Sequence, residues 1–246
     1  VEEPTTEAVF IRLDTENPVL SDMNVRKAIA MSIDTDTIRA ALYPGVSSSL
    51  DGHITRASAL GFNPDLENYP YDPAAAKKLV DDAGAAGKTV ELIVRTDEIP
   101  NVMELAEAVQ AMIEETGLDV TLVPMEAAPW RELLFTNKGG QERSDMMFVA
   151  ASNIQFDSSR VMNFYFGMGQ FSQAYNEDFQ KKLEAAAAMS GAEREKAYQD
   201  MWAEIQENYW VIPMFGIDYL HGLAENVEWT PRDDGFVYFN DFRLAN

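Results

Sequence analysis

The 246-residue chain carries 41 acidic against 19 basic residues, a net charge of −22. So acidic a surface excludes nucleic acid and anionic membranes as partners, since both require positive patches. The absence of cysteine excludes disulfides, thiolate catalysis and thiolate metal sites, while a hydrophobic content of 46% is enough for a sizeable core.

AVFIRLD (8–14) is strand-like. SDMNVRKAIAMSID (21–34) reads as a short amphipathic helix capped by Ser21 or Asp22. Its buried face is Val25, Ala28, Ile29 and Ile33; Arg26 is expected on the exposed side, one turn from Asp22. The Gly-, Pro- and Ser-rich stretch 43–73 lacks periodicity and reads as a structured excursion. Asp72 and Pro73 open a helix over 71–84, which Gly84 ends.

TVELIVRT (89–96) alternates as a half-buried strand, with Arg95 at its exit. A helix follows to Thr116, with Val102, Leu105, Ala106, Val109, Met112 and Ile113 at helical spacing. LDVTLVPM (118–125) is the next strand, and APWRELLFTNKGG a short helix and turn. SDMMFVAA (144–151) is a third strand, continuous enough to be buried. Helices over 177–189 and 192–208 come next, then strands or a hairpin and an aromatic, loop-like tail.

Alternation of this kind predicts an α/β domain with helices flanking a mixed sheet. Neither GxGxxG nor GxxxxGK[ST] is present, nor GxSxG, nor HExxH. His53 and His221 are far apart and in no ligand-spaced motif, so no metal and no cofactor is expected. Carboxylates are abundant but no pair is marked by spacing; a hydrolase using paired carboxylates is therefore the alternative reading, not the leading one.

The most informative segment is ASNIQFDSSRVMNFYF (151–166), which leaves the carboxyl end of the third strand, where ligands gather in open α/β sheets. It groups Asn153, Gln155, Asp157 and Arg160 around Phe156. Amides fix hydrogen-bond geometry, an acid attracts an amine or hydroxyls, and a ring stacks on or covers a ligand. The competing reading is a loop that caps the next helix with Asp157 and buries Phe156.

The order of motifs resembles the C-terminal portion of family 5 extracellular solute-binding proteins, the dipeptide, oligopeptide and nickel type that serve ABC importers. The resemblance rests on DMNVRKAIAMSID, YPYDPAAAKKLVDDAG, ELAEAVQAMIEETGLDVTLVPME, FSQAYNEDFQKKLEAA and AEREKAYQDMWAEIQENYWVIPMF, all in family order, with Trp130 near a family aromatic. It implies a periplasmic-binding-protein-like type II lobe over residues 1–226. A tail, 227–246, would return towards a separate N-terminal lobe, so the chain is expected to be a domain of a longer protein.

The resemblance further implies a passive, non-enzymatic component of an ABC importer, periplasmic or extracellular and membrane-associated through the transporter. Its partners would be a peptide or other small solute, the permease subunits and the N-terminal lobe. A sensory or chaperone-like ectodomain on the same fold is a second alternative. Ligand contacts are expected from Asn153, Gln155, Phe156 and Asp157, with Arg95 and Arg12 as weaker candidates; Arg95 lies near a carboxylate-binding arginine of some peptide-binding relatives. The sequence departs from the family where Ala151 replaces a usual Trp, Ile154 an acid and Ser158 a Pro.

Overall fold

The computed structural model describes residues 2–3, 5–136, 144–169, 171–232 and 234–244. In chain order the elements are β1 (Glu2–Glu3), β2 (Glu7–Leu13), α1 (Met23–Ser32), α2 (Thr35–Leu42), β3 (Ser47–Ser48), α3 (Pro73–Asp82), β4 (Thr89–Arg95), α4 (Val102–Glu114), β5 (Asp119–Met125) and α5 (Ala127–Thr136). They continue as β6 (Met146–Ser152), α6 (Ser158–Tyr165), β7 (Phe166–Gly167), β8 (Ala174–Tyr175), α7 (Glu177–Ala187), α8 (Gly191–Glu207), β9 (Val211–Ile217), β10 (Tyr219–Leu220), β11 (Val227–Glu228) and β12 (Arg243–Leu244). The turn expected after α5 lies outside the described residues.

Six strands form one sheet in the order β3-β9-β2-β6-β4-β5. β4 runs parallel to β5 and β6, whereas β2 runs antiparallel to β6 and β9, so the sheet is mixed. Alternation along each strand divides the core in two. Val9, Ile11 and Leu13 of β2, Leu92 and Val94 of β4 and Phe148 of β6 pack against α1 to α4. Ala8 and Phe10, Ile93, and Met147 and Val149 face the opposite layer of α5 to α8. The result is helices on both faces of a mixed sheet, each buried Leu- or Phe-sized side chain contributing roughly 2–3 kcal/mol.

The helix expected over 21–34 is α1, capped by Asp22, and a second helix, α2, not expected from the sequence, follows it directly. Ile33 is extended, and the Asp34 side chain accepts from Thr37 N–H to begin α2. Arg26 is also not where amphipathicity puts it: it is 5% exposed. Its guanidinium donates to Leu20 O (2.8 Å), Ser21 O (3.1 Å), Asn208 O (2.8 Å) and Tyr209 O (3.2 Å). An arginine can enter a core when its donors meet carbonyls left unpaired at helix ends, and α8 ends at this point.

The excursion over 43–73 is held by buried polar contacts. His53 is fully buried, with Nδ1 2.7 Å from Asp51 O, and Nε2 accepts from Asn63 N–H at 3.1 Å. Its ring stacks on Phe62 at 4.0 Å and meets the edge of Trp202 at 5.1 Å. Further along, Leu60 N–H donates to Phe156 O and Ser158 N–H to Leu60 O, so the excursion buttresses the segment that follows β6. No helix among the described residues is long and apolar enough to cross a membrane.

Candidate functional site: the carboxyl edge of the parallel strands

β4, β5 and β6 end on the same edge of the sheet, and the antiparallel β2 begins there. The segment after β6 is tied down from several directions. Asn153 is 2% exposed; its Nδ2 donates to Thr55 Oγ1 (2.8 Å) and Asp157 O (3.1 Å), and its N–H to Thr6 O (3.3 Å). Asp157 caps α6 by accepting from Ser159 N–H at 2.9 Å and pairs with Arg194 at 2.8 Å. Burial raises the Asp157 carboxyl, but the hydrogen bonds from Arg194 and Ser159 outweigh it and hold the group below its ordinary range. Trp202 Nε1–H donates to Ser158 Oγ at 2.9 Å, fixing the first turn of α6 from behind.

These contacts divide the four loop residues singled out in the sequence. Asn153 and Asp157 hold the backbone, while Gln155 is exposed and Phe156 half-buried at the tip. Phe156 has φ +52°, a conformation rare for a side chain of this size. Its neighbours set it there: its N–H donates to Asn153 O and its carbonyl accepts from Leu60.

Arg95 and Arg12 stand on the sheet itself. The Arg95 guanidinium lies over the Trp130 ring at 5.2 Å, with Nε 2.9 Å from Asp97 Oδ1 and Nη1 3.8 Å from Glu98 Oε1. Arg12 is buried, its Nη1 3.7 Å from Met147 Sδ. Glu98 closes the gap where β4 parts from β6: Oε1 accepts from Ala150 N–H at 3.0 Å. Burial pushes its carboxyl up to about 7; the Ala150 bond and Arg95 pull it down, while Glu7 and Asp97 push it up.

Beside this edge lies a pocket of about 430 Å³. Ala151 and Ser152 form its sheet side, α6 contributes Arg160, Val161, Phe164 and Tyr165, and Phe135 of α5 and Phe171 complete it. Phe171 stacks on Phe164 at 5.4 Å and meets Phe135 edge-on at 5.1 Å. Its N–H donates to Phe164 O at 2.8 Å, and this return is possible because Gly169 crosses close to α6, where a Cβ would lie 2.4 Å from Asn163 O. Tyr165 leans edge-on against Phe10 at 5.1 Å. Burial pushes its hydroxyl up to about 12, with Arg12, Glu98 and Arg160 near enough to act on it. The volume and the mix of rings with a few polar groups suit a small-molecule subsite.

None of the expected contact residues Asn153, Gln155, Phe156, Asp157, Arg95 and Arg12 lines this pocket. The pocket takes its side chains mainly from 160–165, and Phe135 and Phe171 were not singled out. The available signal was the aromatic density of NFYF (163–166), which helical spacing alone assigns to the core.

Residues 1–173 match the family model described as bacterial extracellular solute-binding proteins, family 5 middle. The dipeptide-binding protein of Escherichia coli (strain K12) is 30% identical over 157 residues, covering 62% of this chain and 29% of that protein. Among solved structures, HbpA2 from Haemophilus parasuis aligns with a TM-score of 0.86 at 24% identity, over 100% of this chain and 50% of that one. A dipeptide-binding protein from Pseudoalteromonas sp. SM9913 in complex with Met-Leu aligns with a TM-score of 0.81 at 20% identity, over 100% and 50%. At such identities the structural matches show the fold. The chain spans half the length, or less, of the relatives it matches here.

Proposed function

The chain belongs to the bacterial extracellular solute-binding proteins of family 5, and from that membership we propose that it supplies one wall of the binding cleft of an ABC-importer receptor for a peptide or other small polar solute. The carrying observation is the aromatic pocket at the carboxyl edge of β6, with Arg160 on its wall and the Gln155–Phe156 tip nearby. In this reading Gln155 and Phe156 contact the solute, and Asn153 and Asp157 keep the tip in place. Arg95 and Arg12 set the positive potential of the sheet edge behind it.

Residues 1–226 form the lobe, and 227–246 lead towards an N-terminal lobe of the same protein. Binding draws the two lobes together about a hinge, and the permease reads the closed form. No bond of the solute is broken. The site of action is the periplasm or the cell exterior, next to the transporter. A thermal-shift screen of the purified protein against dipeptides, tripeptides and other small polar solutes tests this. A true ligand raises the melting temperature progressively with concentration. A panel in which no peptide or polar solute does so counts against the reading.

A further inference from the structure

Three arginines converge on one sheet face of a chain with 41 acidic and 19 basic residues. Arg12 and Arg160 both act on the Tyr165 hydroxyl, and Arg95 stands at the end of β4. Their situations differ. Arg12 is buried beneath this layer, and Arg95 is paired with Asp97 and Glu98. Arg160 is half-buried on the pocket wall with its guanidinium 5.2 Å over the Phe164 ring, and among the described residues it makes no ion pair.

Among the described residues no acidic side chain lines the pocket, on a protein of net charge −22. Ser152, exposed on the sheet side, adds a hydroxyl. The other walls are Phe135, which is 50% exposed, and the half-buried Phe164, Tyr165 and Phe171. A guanidinium offers a planar fork that matches a carboxylate, and its cation–π contact with Phe164 holds the charge on the pocket wall. Rings at these separations accept another ring edge-on or offset.

We propose that this pocket is a selective subsite for a solute carrying a carboxylate next to an aromatic or bulky apolar group, with Arg160 binding the carboxylate and Phe135, Phe164 and Phe171 enclosing the apolar group. The proposal rests on the solute-binding reading above and adds to it the chemical class of the solute. Arg160 is the specificity-determining residue; the three rings supply affinity without distinguishing charged from neutral ligands.

The test uses two near-isosteric probes, the carboxylate N-acetyl-phenylalanine and the neutral N-acetyl-phenylalaninamide, with Gly-Gly, which has no apolar group beside its carboxylate, as an independent ligand. Dissociation constants are measured by ligand-observed NMR at neutral pH for the wild type, Arg160→Gln and Arg160→Lys, each checked for an unchanged melting curve. The wild type should prefer the acid over the amide by about tenfold or more, the worth of one charge-assisted hydrogen-bonded pair. Arg160→Gln should reduce the preference to less than about twofold, and Arg160→Lys, which keeps the charge and loses the fork, should retain part of it.

Equal affinity of the wild type for acid and amide overturns the proposal, as does a preference that survives Arg160→Gln. If Gly-Gly binds and neither phenylalanine probe does, the subsite assignment fails and the solute-binding reading stands. If neither probe nor any member of the solute panel binds, both fail. Should Arg160→Gln not fold, the acid-to-amide ratio in the wild type and Arg160→Lys still decides the matter.

Discussion

Arg194 grips Asp157 with both arms of its guanidinium, Nη1 2.8 Å from Oδ2 and Nη2 3.1 Å from Oδ1. The same carboxylate caps α6 through Ser159 N–H. An acid committed to a fork and a cap serves architecture first. Asp157→Ala should therefore lower stability by about 1–2 kcal/mol, mostly through loss of the cap, since a partly exposed ion pair adds less than about 1 kcal/mol. Chemical denaturation measures this. The effect should fade in acid, because a carboxyl held below its ordinary range loses its contribution as pH falls through its folded-state value.

Arg26 makes a second quantitative case. Its donors bind carbonyls at the start of α1 and at the end of α8, two segments far apart in sequence. Arg26→Met should cost about 2–4 kcal/mol in urea denaturation, since several carbonyls are left without a donor. Arg26→Lys should recover less than half, because an ammonium cannot span the same set of acceptors.

Two buried groups set opposing pH dependences. Burial pushes His53 down to about 4 from 6.5, so the folded protein resists a proton that the unfolded chain accepts. Stability from this group falls as pH drops from 6.5 to 4. Glu98 is pushed up from 4.5 to about 7, so the folded protein keeps a proton that the unfolded chain has released. Its contribution falls as pH rises through that interval. Between pH 4.5 and 6.5 the two slopes oppose each other. Glu98→Gln should uncover the His53 slope and stabilise the protein above pH 7 by up to about 3 kcal/mol. Denaturation curves for wild type and variant across pH 4–8 check both the sign and the window.

The tip residue Phe156 carries backbone strain that can be separated from its side chain. At φ +52° an alanine keeps the strain and loses the ring, while a glycine loses both. Phe156→Gly should therefore be more stable than Phe156→Ala by about 1 kcal/mol, the reverse of the order at ordinary loop positions. Differential scanning calorimetry of the two variants gives the comparison.

Most of the framework was legible because it is periodic. Thr89–Arg95 alternates and Val102–Glu114 repeats at helical spacing, so both elements could be read from spacing to within a few residues. Asp72 and Pro73 announced α3, where the Asp72 side chain accepts from Ala75 N–H as its cap. Arg26 was misread because helical periodicity treats arginine as a surface residue; no local signal shows that carbonyls from residues 208 and 209 arrive to receive it. The pocket was only half legible for a similar reason. Phe135, Phe164 and Phe171 meet through chain returns, one of which depends on the close approach of Gly169, and sequence spacing does not encode that.

The most direct test of a solute subsite at the carboxyl edge of β6 is backbone-amide chemical-shift mapping during titration with a solute that raises the melting temperature. The largest changes should gather on Ala151, Ser152, Gln155, Phe156, the 160–165 stretch and Phe171, with α3 and the Tyr69–Tyr209 stack unaffected. A titration that moves amides of α3 or of the α7–α8 pair and leaves 151–171 in place would contradict it.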